Sequence, residues 1–442
     1  MGSQQIDIVM LPFMAHGHLI PFLSLATQIH HRTGFNIAIA NTPLNIQYLR
    51  STFLQHQNPP PWIHIFELPF NSAGHGLPPN SENTENLPLD QIDIIKKQGK
   101  PPLCIISDVF VGWVVEVANI MNTVNITFAT GGAYGTLALF SFWLNLPHRK
   151  TDSEEFNLPG FPERCKFHVS QLHEFMRKAD GNDSWSRFLK SQFSSSLQSF
   201  GWLANTAEEL EPLGLDSLRK YTQFPVWPIG PLLPKQLLNK SPLSSSSSTT
   251  QHAGKSPGIS AEKCVEWLDM HDLASVLYIS FGSQNTVSRS QMMELAIGLE
   301  KSWTPFIWVI RPPLGFDLKA EFRSEWLPEG FEARMKESNQ GLLVKNWAPQ
   351  LEKLSHKSTG AFLSHCGWNS TMESLSQGAF NSKMLVDEMG VSVELTRGVQ
   401  SSISSEKVKE VIGIVMEKEG KGGDMKRKVG RDCTPDKGSS ER

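Results

Sequence analysis

GAFLSHCGWNSTMESLSQG, residues 360–378, passes from an apolar run into a turn and out into a helical pattern. GAFLSH (360–365) has the length and composition of a buried strand. Gly367 permits a tight turn or a close backbone approach. Asn369 and Ser370 are residue types that open helices, and the helix they would open carries Glu373. Strand, turn and helix in this order is the repeating unit of parallel α/β sheets. Exposed N–H groups at such a helix start attract anions, and His365, Asn369 and Ser370 add donors. An ordinary strand–turn–helix with an Asn or Ser cap gives the same pattern.

The unit recurs along the chain. IDIVML (6–11), FNIAIAN (35–41), WIHIFEL (62–68), LCIISD (103–108) and NITFAT (125–130) read as strands. LIPFLSLATQIHH (19–31) has helical spacing, VFVGWVVEVANIM (109–121) reads as the helix behind Asp108, and a Gly-Gly turn and another helix follow NITFAT. The rhythm then breaks at the proline-rich VWPIGPLLP (226–234) and the low-complexity SPLSSSSSTTQHAGKSPG (241–258), a composition that packs no core. It restarts with SVLYISFGS (275–283), a helix over 289–301, PFIWVIR (305–311), GLLVKNW (341–347) and GAFLSH. The expected fold is α/β, with two Rossmann-like domains facing a central cleft near the carboxyl ends of their strands. The boundaries read as a first domain over 1–235, a Ser-rich linker over 236–262, a second domain over 263–428 and a short polar tail over 429–442.

The 442 residues carry 41 basic and 44 acidic side chains, a net charge of −3, which provides no basic field for nucleic acid. The five cysteines are scattered without a CxxC pair, so neither a zinc site nor a disulfide framework is expected. No cluster of metal ligands stands out, and His30-His31, adjacent on a helix, point apart and read as surface. The start of the chain lacks a signal-peptide pattern and no apolar run reaches membrane-spanning length. These features predict a soluble, cytoplasmic protein; they say nothing of its oligomeric state, for which a monomer is the default expectation.

Two more strand ends carry polar chemistry. WAPQ (347–350) sets an aromatic ring able to stack on a base beside Gln350, although a core Trp before a Pro-initiated helix reads the same way. FGSQ (281–284) places Ser283 where it either donates to a phosphate or caps a helix. Taken together, WAPQLEKLSHKSTGAFLSHCGWNSTMESLSQG (347–378) resembles the nucleotide-sugar signature of plant secondary-product (family 1) UDP-glycosyltransferases, and the rest of the chain agrees to about residue 428. The resemblance implies the two-domain GT-B arrangement. It implies that Trp347 stacks on uracil with the Ala348 backbone reading its edge, that Gln350 and Glu373 bind the ribose, and that Ser283, His365, Asn369 and Ser370 hold the diphosphate with Trp368 near it. The donor is then a UDP-sugar, with glucose expected, and no further cofactor or metal is implied. A helix start and neutral donors suit the charge that develops on departing UDP.

FMAHGHLIP (13–21) places His18 after the first strand, where it matches the family's base; His16 is the competitor, and the Gly-His-x-x-Pro context favours His18. Asp108 matches its partner carboxylate, which fixes the imidazole tautomer. The implied reaction is an inverting displacement that transfers the sugar to a hydroxyl of a small lipophilic acceptor. A nicotinamide enzyme is the weaker reading, because FMAHGH and not GxGxxG follows the first strand.

The chain departs from the resemblance after Gly378, where AFNSKMLVDEMG follows directly and the family's next strand, with its sugar-binding acid-Gln pair, is missing. Losing hydrogen bonds with charged groups costs about 1.5–3 kcal/mol each. QIDIIKKQGKPP (91–102) also reads as shortened, and the tail after Lys428 as helix-poor. The alternative reading is therefore an impaired or inactive product that at most binds UDP.

Overall fold

The structure, a computed structural model, describes residues 5–54, 60–70, 101–232, 258–282, 286–317, 320–345, 350–364, 384–396 and 401–432. They form two compact units, one built mainly from the described residues up to Leu232 and the other mainly from those beyond Gly258.

In the first unit, β1 (Ile8–Leu11) leads into α1 (His16–Thr33), β2 (Ile37–Asn41), α2 (Pro43–Leu54) and β3 (Ile63–Glu67). Then come β4 (Cys104–Asp108), α3 (Val114–Ile120), β5 (Val124–Ala129) and α4 (Ala133–Asn145). A small antiparallel pair, β6 (Glu155–Asn157) and β7 (Lys166–His168), precedes α5 (Glu174–Lys178), α6 (Ser184–Ser196), β8 (Gly201–Ala204), α7 (Pro212–Thr222) and β9 (Val226–Pro228). Seven strands pair in the order β3-β2-β1-β4-β5-β8-β9, all parallel.

Alternation along each strand divides the core between the two faces of this sheet. Ile8 and Met10 pack with Leu19, Phe22 and Ala26 of α1. Val9 and Ile105 pack on the other side with Val114, Val117 and Ala118 of α3. Strands covered on both faces read as continuous apolar runs, which is why β2 and β4 are buried at every position. Helix α1 ends at Gly34, whose φ of 75° is the left-handed cap that glycine adopts freely.

The second unit repeats the scheme with α8 (Ala261–Asp269), β10 (Val276–Ser280), α9 (Arg289–Ser302), β11 (Phe306–Ile310), α10 (Phe331–Glu337), β12 (Gly341–Lys345), α11 (Gln350–Leu354) and β13 (Thr359–Ser364). A single π turn over Met384–Met389, α12 (Ser405–Met416) and α13 (Gly420–Asp432) follow. Its sheet runs β12-β11-β10-β13, again parallel. Leu277, Ile279 and Trp308 face α9 and α12, while Tyr278, Ile307 and Val309 face Trp267 and Leu268 of α8. Cys104, Cys165 and Cys264 are buried outside any disulfide, and burial pushes the Cys104 thiol up to about 11. No helix is long and apolar enough to cross a membrane among the described residues.

Several local expectations need correction. The helix expected over 109–121 begins only at Val114. The Asp108 carboxylate accepts the Phe110 N–H at 3.0 Å and its carbonyl accepts the Val111 N–H, so the chain turns before it coils. VWPIGPLLP is not simply a break, because Val226–Pro228 pairs with β8 at the end of the sheet order, where a proline costs no ladder hydrogen bond. His30 is not a surface side chain: its ring stacks on Trp62 at 4.3 Å and its Nδ1 lies 2.8 Å from the Phe35 carbonyl, while His31 is exposed. The tail is helical through Asp432, beyond the expected end at Lys428. The segment after Gly378, as far as residue 383, and residues 91–100 lie outside the described residues.

Candidate active site

Strand order locates the site in the first unit. From β1 the chain adds β2 and β3 on one side, then β4, β5, β8 and β9 on the other. The segments leaving the carboxyl ends of β1 and β4 therefore diverge, and the crevice at such a reversal is where open α/β sheets hold ligands. β1 and β4 pair in register from Ile8 with Cys104 to Leu11 with Ser107. His18 stands in the first turn of α1, just beyond β1, and Asp108 is the last residue of β4.

The structure brings these two together across 90 residues of sequence. His18 Nδ1 lies 2.6 Å from Asp108 Oδ2, and the Asp108 side chain is 0% exposed against 21% for His18. The second Asp108 oxygen takes the Phe110 N–H. A buried carboxylate facing Nδ1 favours the tautomer that carries its proton there and leaves Nε2, on the other side of the ring, as the basic nitrogen.

The ring is bordered by two aromatic side chains. Phe13 and Phe110 meet His18 edge-on, with centroids 5.3 and 5.5 Å away, and lie 5.1 Å from each other. Thr130, immediately after β5, puts its Oγ1 3.1 Å from His18 Nδ1. The sequence reading named NITFAT as a strand and missed Thr130, Phe13 and Phe110. Position was the available signal: Phe13, Phe110 and Thr130 stand just past the carboxyl ends of β1, β4 and β5, three successive strands of the sheet.

The second unit has the same reversal, between β10 and β13. Ser280 and Ser364, which end these strands, stand in register. Gln350 opens α11 and is half-buried. Ser283, Trp347, Ala348, His365, Trp368, Asn369, Ser370 and Glu373 lie outside the described residues, and so does the side chain of His16. No group of three or more side chains able to hold a metal ion is found among the described residues.

Comparison with known proteins agrees with this layout. The family model for UDP-glucoronosyl and UDP-glucosyl transferases matches residues 261–381. Crocetin glucosyltransferase 3 of Crocus sativus is 42% identical, the match covering 94% of this chain and 92% of the relative. UDP-glycosyltransferase 92A1 of Arabidopsis thaliana is 39% identical over 96% of this chain and 91% of its own length. The chain belongs to the plant family 1 UDP-glycosyltransferases. The match of this glycosyltransferase to the Arabidopsis relative spans 465 positions, more than its own 442 residues, so gaps open in it against the relative.

Solved structures place the glycosyltransferase in the GT-B fold. Glycyrrhiza uralensis UGT73P12, complexed with glycyrrhetinic acid 3-O-monoglucuronide, superposes with a TM-score of 0.77 at 26% identity, covering 97% of this chain and 90% of that one. Phytolacca americana UGT2, complexed with UDP-2fluoro-glucose and pterostilbene, gives 0.74 at 26% identity over 98% and 94%. These matches do not favour the alternative of a chain that only binds UDP.

Proposed function

We propose that this glycosyltransferase moves glucose from UDP-glucose to a hydroxyl of a small lipophilic acceptor, with inversion at the anomeric carbon. The observation that carries the reading is the 2.6 Å contact between a partly exposed His18 and a fully buried Asp108. In this reading His18 Nε2 takes the proton of the acceptor hydroxyl as its oxygen attacks the anomeric carbon. The bond from that carbon to the diphosphate oxygen breaks, and UDP leaves with the electron pair. Asp108 stabilises the imidazolium without taking the proton itself.

Phe13 and Phe110 support a lipophilic acceptor, since aromatic edges beside the base favour an apolar, flat molecule over a sugar or an ionic one. The curated relatives point the same way, among them a scopoletin glucosyltransferase of Nicotiana tabacum, 31% identical. Ser283, Trp347, Ala348, Gln350, His365, Trp368, Asn369, Ser370 and Glu373 would hold the UDP-sugar. The proposal needs no resident cofactor or metal and takes a single cytoplasmic chain as the working unit.

The test is incubation of the purified protein with UDP-glucose and a panel of phenols and other lipophilic hydroxylated acceptors, with products read by mass spectrometry and proton NMR. The proposal expects a glycoside with a large, β-type anomeric coupling and UDP released in equal amount. An α-linked product, or release of free glucose alone, contradicts it.

A further inference from the structure

We propose that Thr130 is a positioning residue for His18, its hydroxyl acting with Asp108 as a second acceptor for the Nδ1–H so that the imidazole plane is fixed and Nε2 is aimed at the acceptor hydroxyl. The inference rests on the reading of His18 as the base.

Asp108 Oδ2 at 2.6 Å is the principal acceptor. A single hydrogen bond leaves an imidazole free to rock about the N–H···O axis. Thr130 Oγ1, 3.1 Å from the same nitrogen, approaches from another strand end. β4 and β5 pair with Asp108 opposite Phe128, which sets Thr130 two residues further along the neighbouring strand. Because the ionised carboxylate can only accept, the shared proton belongs to Nδ1, and the Thr130 oxygen meets it with a lone pair. When His18 takes the acceptor's proton, both oxygens face a ring that has become positive, so both contacts strengthen where the reaction needs them.

Thr130 is held from several directions. Asn205, 2% exposed, donates from Nδ2 to the Thr130 carbonyl at 3.2 Å, and its backbone N–H donates to Ala129 at 3.1 Å. Its own Oδ1 takes the Leu232 N–H at 2.8 Å. On the other side of Thr130, Gly131 and Gly132 lead straight into α4, whose first N–H groups are bound by Glu211. A β-branched side chain on so constrained a backbone has little rotamer freedom. A threonine that merely needed a partner would find it in a backbone carbonyl; among the described residues the partner of this hydroxyl is His18.

The experiment compares wild type with Thr130→Val and Thr130→Ser. It measures kcat, KM for each substrate, and the His18 Nδ1–H proton resonance in protein carrying 15N-histidine, assigned by its loss in His18→Ala. Thr130→Val is expected to lower kcat roughly tenfold, a part of the roughly 10²–10⁴-fold that positioned proton transfer contributes. Both KM values should stay within about twofold, Thr130→Ser should recover most of kcat, and the Nδ1–H resonance should broaden in the Val variant alone. Should the Val side chain prevent folding, Thr130→Ala reads the same loss, and the resonance is read without any turnover. An unchanged kcat with an unchanged resonance overturns the inference, and so does a change confined to donor KM, which would mean that Thr130 touches the donor instead. His18→Ala in the same assay separates the two claims. If it turns over like wild type, the base assignment fails; if it is inactive while Thr130→Val is normal, only the role of Thr130 fails.

Discussion

The carboxylate of Glu211 lies across the start of α4, accepting the N–H of Ala133 at 2.9 Å and that of Tyr134 at 3.1 Å. Gly132, the residue before the helix, has no side chain to cap it, so Glu211, 78 positions on from Ala133, does so. Burial pushes the Glu211 carboxyl well up, against the hydrogen bonds from the Tyr134 and Ala133 N–H groups that pull it down. A raised value in the folded state means that folding favours the protonated form. The contribution of Glu211 is therefore complete below its unfolded value, about 4.3, and is lost as pH rises through the folded value. Glu211→Gln, which stays neutral, should gain on wild type in Tm between pH 4.5 and pH 7.5. A Tm difference that stays flat or moves the other way contradicts this. Glu211→Ala strands two buried donors and should cost about 2 kcal/mol or more by chemical denaturation.

Asp183 caps α6, accepting the Ser186 N–H at 2.9 Å. Slight burial pushes its carboxyl up, but hydrogen bonds from Ser186 and Asp180 outweigh this and hold it at about 2. Its contribution should be full above the unfolded value of about 3.9 and vanish as pH falls through about 2. Asp183→Ala should cost about 1 kcal/mol at neutral pH, and urea melts at pH 7 should show it. Equal midpoints there would mean that the cap is not felt.

Gly112 lets the turn after Asp108 close against α6. A Cβ at this position would overlap the Gln192 carbonyl oxygen, a backbone atom that cannot swing away, and would crowd Ser196 Oγ. Ser196 in turn donates to the Val109 carbonyl at 3.0 Å. Gly112→Ala should destabilise the protein by roughly 1–3 kcal/mol and lower kcat through displacement of Asp108. Loss of stability with unchanged kcat would show that the turn yields without moving the carboxylate.

Much of this architecture was legible before any coordinates. β1, β2, β4, β5, β10, β11, β12 and β13 each coincide with an apolar run, because a parallel sheet covered on both faces needs uninterrupted apolar side chains. What escaped was decided by contacts distant in sequence. α3 starts late because the Asp108 side chain competes for the Phe110 N–H, and composition does not show that competition. β9 is three residues ending in proline, acceptable only because it lies at the end of the sheet order. His30 reads as surface until Trp62 is seen stacked on it. His18 and Asp108 were found through a family resemblance, since nothing local marks either as special. Thr130 belongs to no motif, and its closeness to His18 exists only once β4 and β5 are side by side.

The central claim is that His18, held by Asp108, is the base of a UDP-sugar transfer. The most direct test measures glucoside formation and UDP affinity in wild type and His18→Ala side by side, the first by product assay and the second by titration calorimetry. The account predicts at least a ~100-fold loss of transfer, with UDP affinity within about threefold of wild type because the nucleotide contacts are assigned elsewhere. Wild-type turnover in His18→Ala would contradict it.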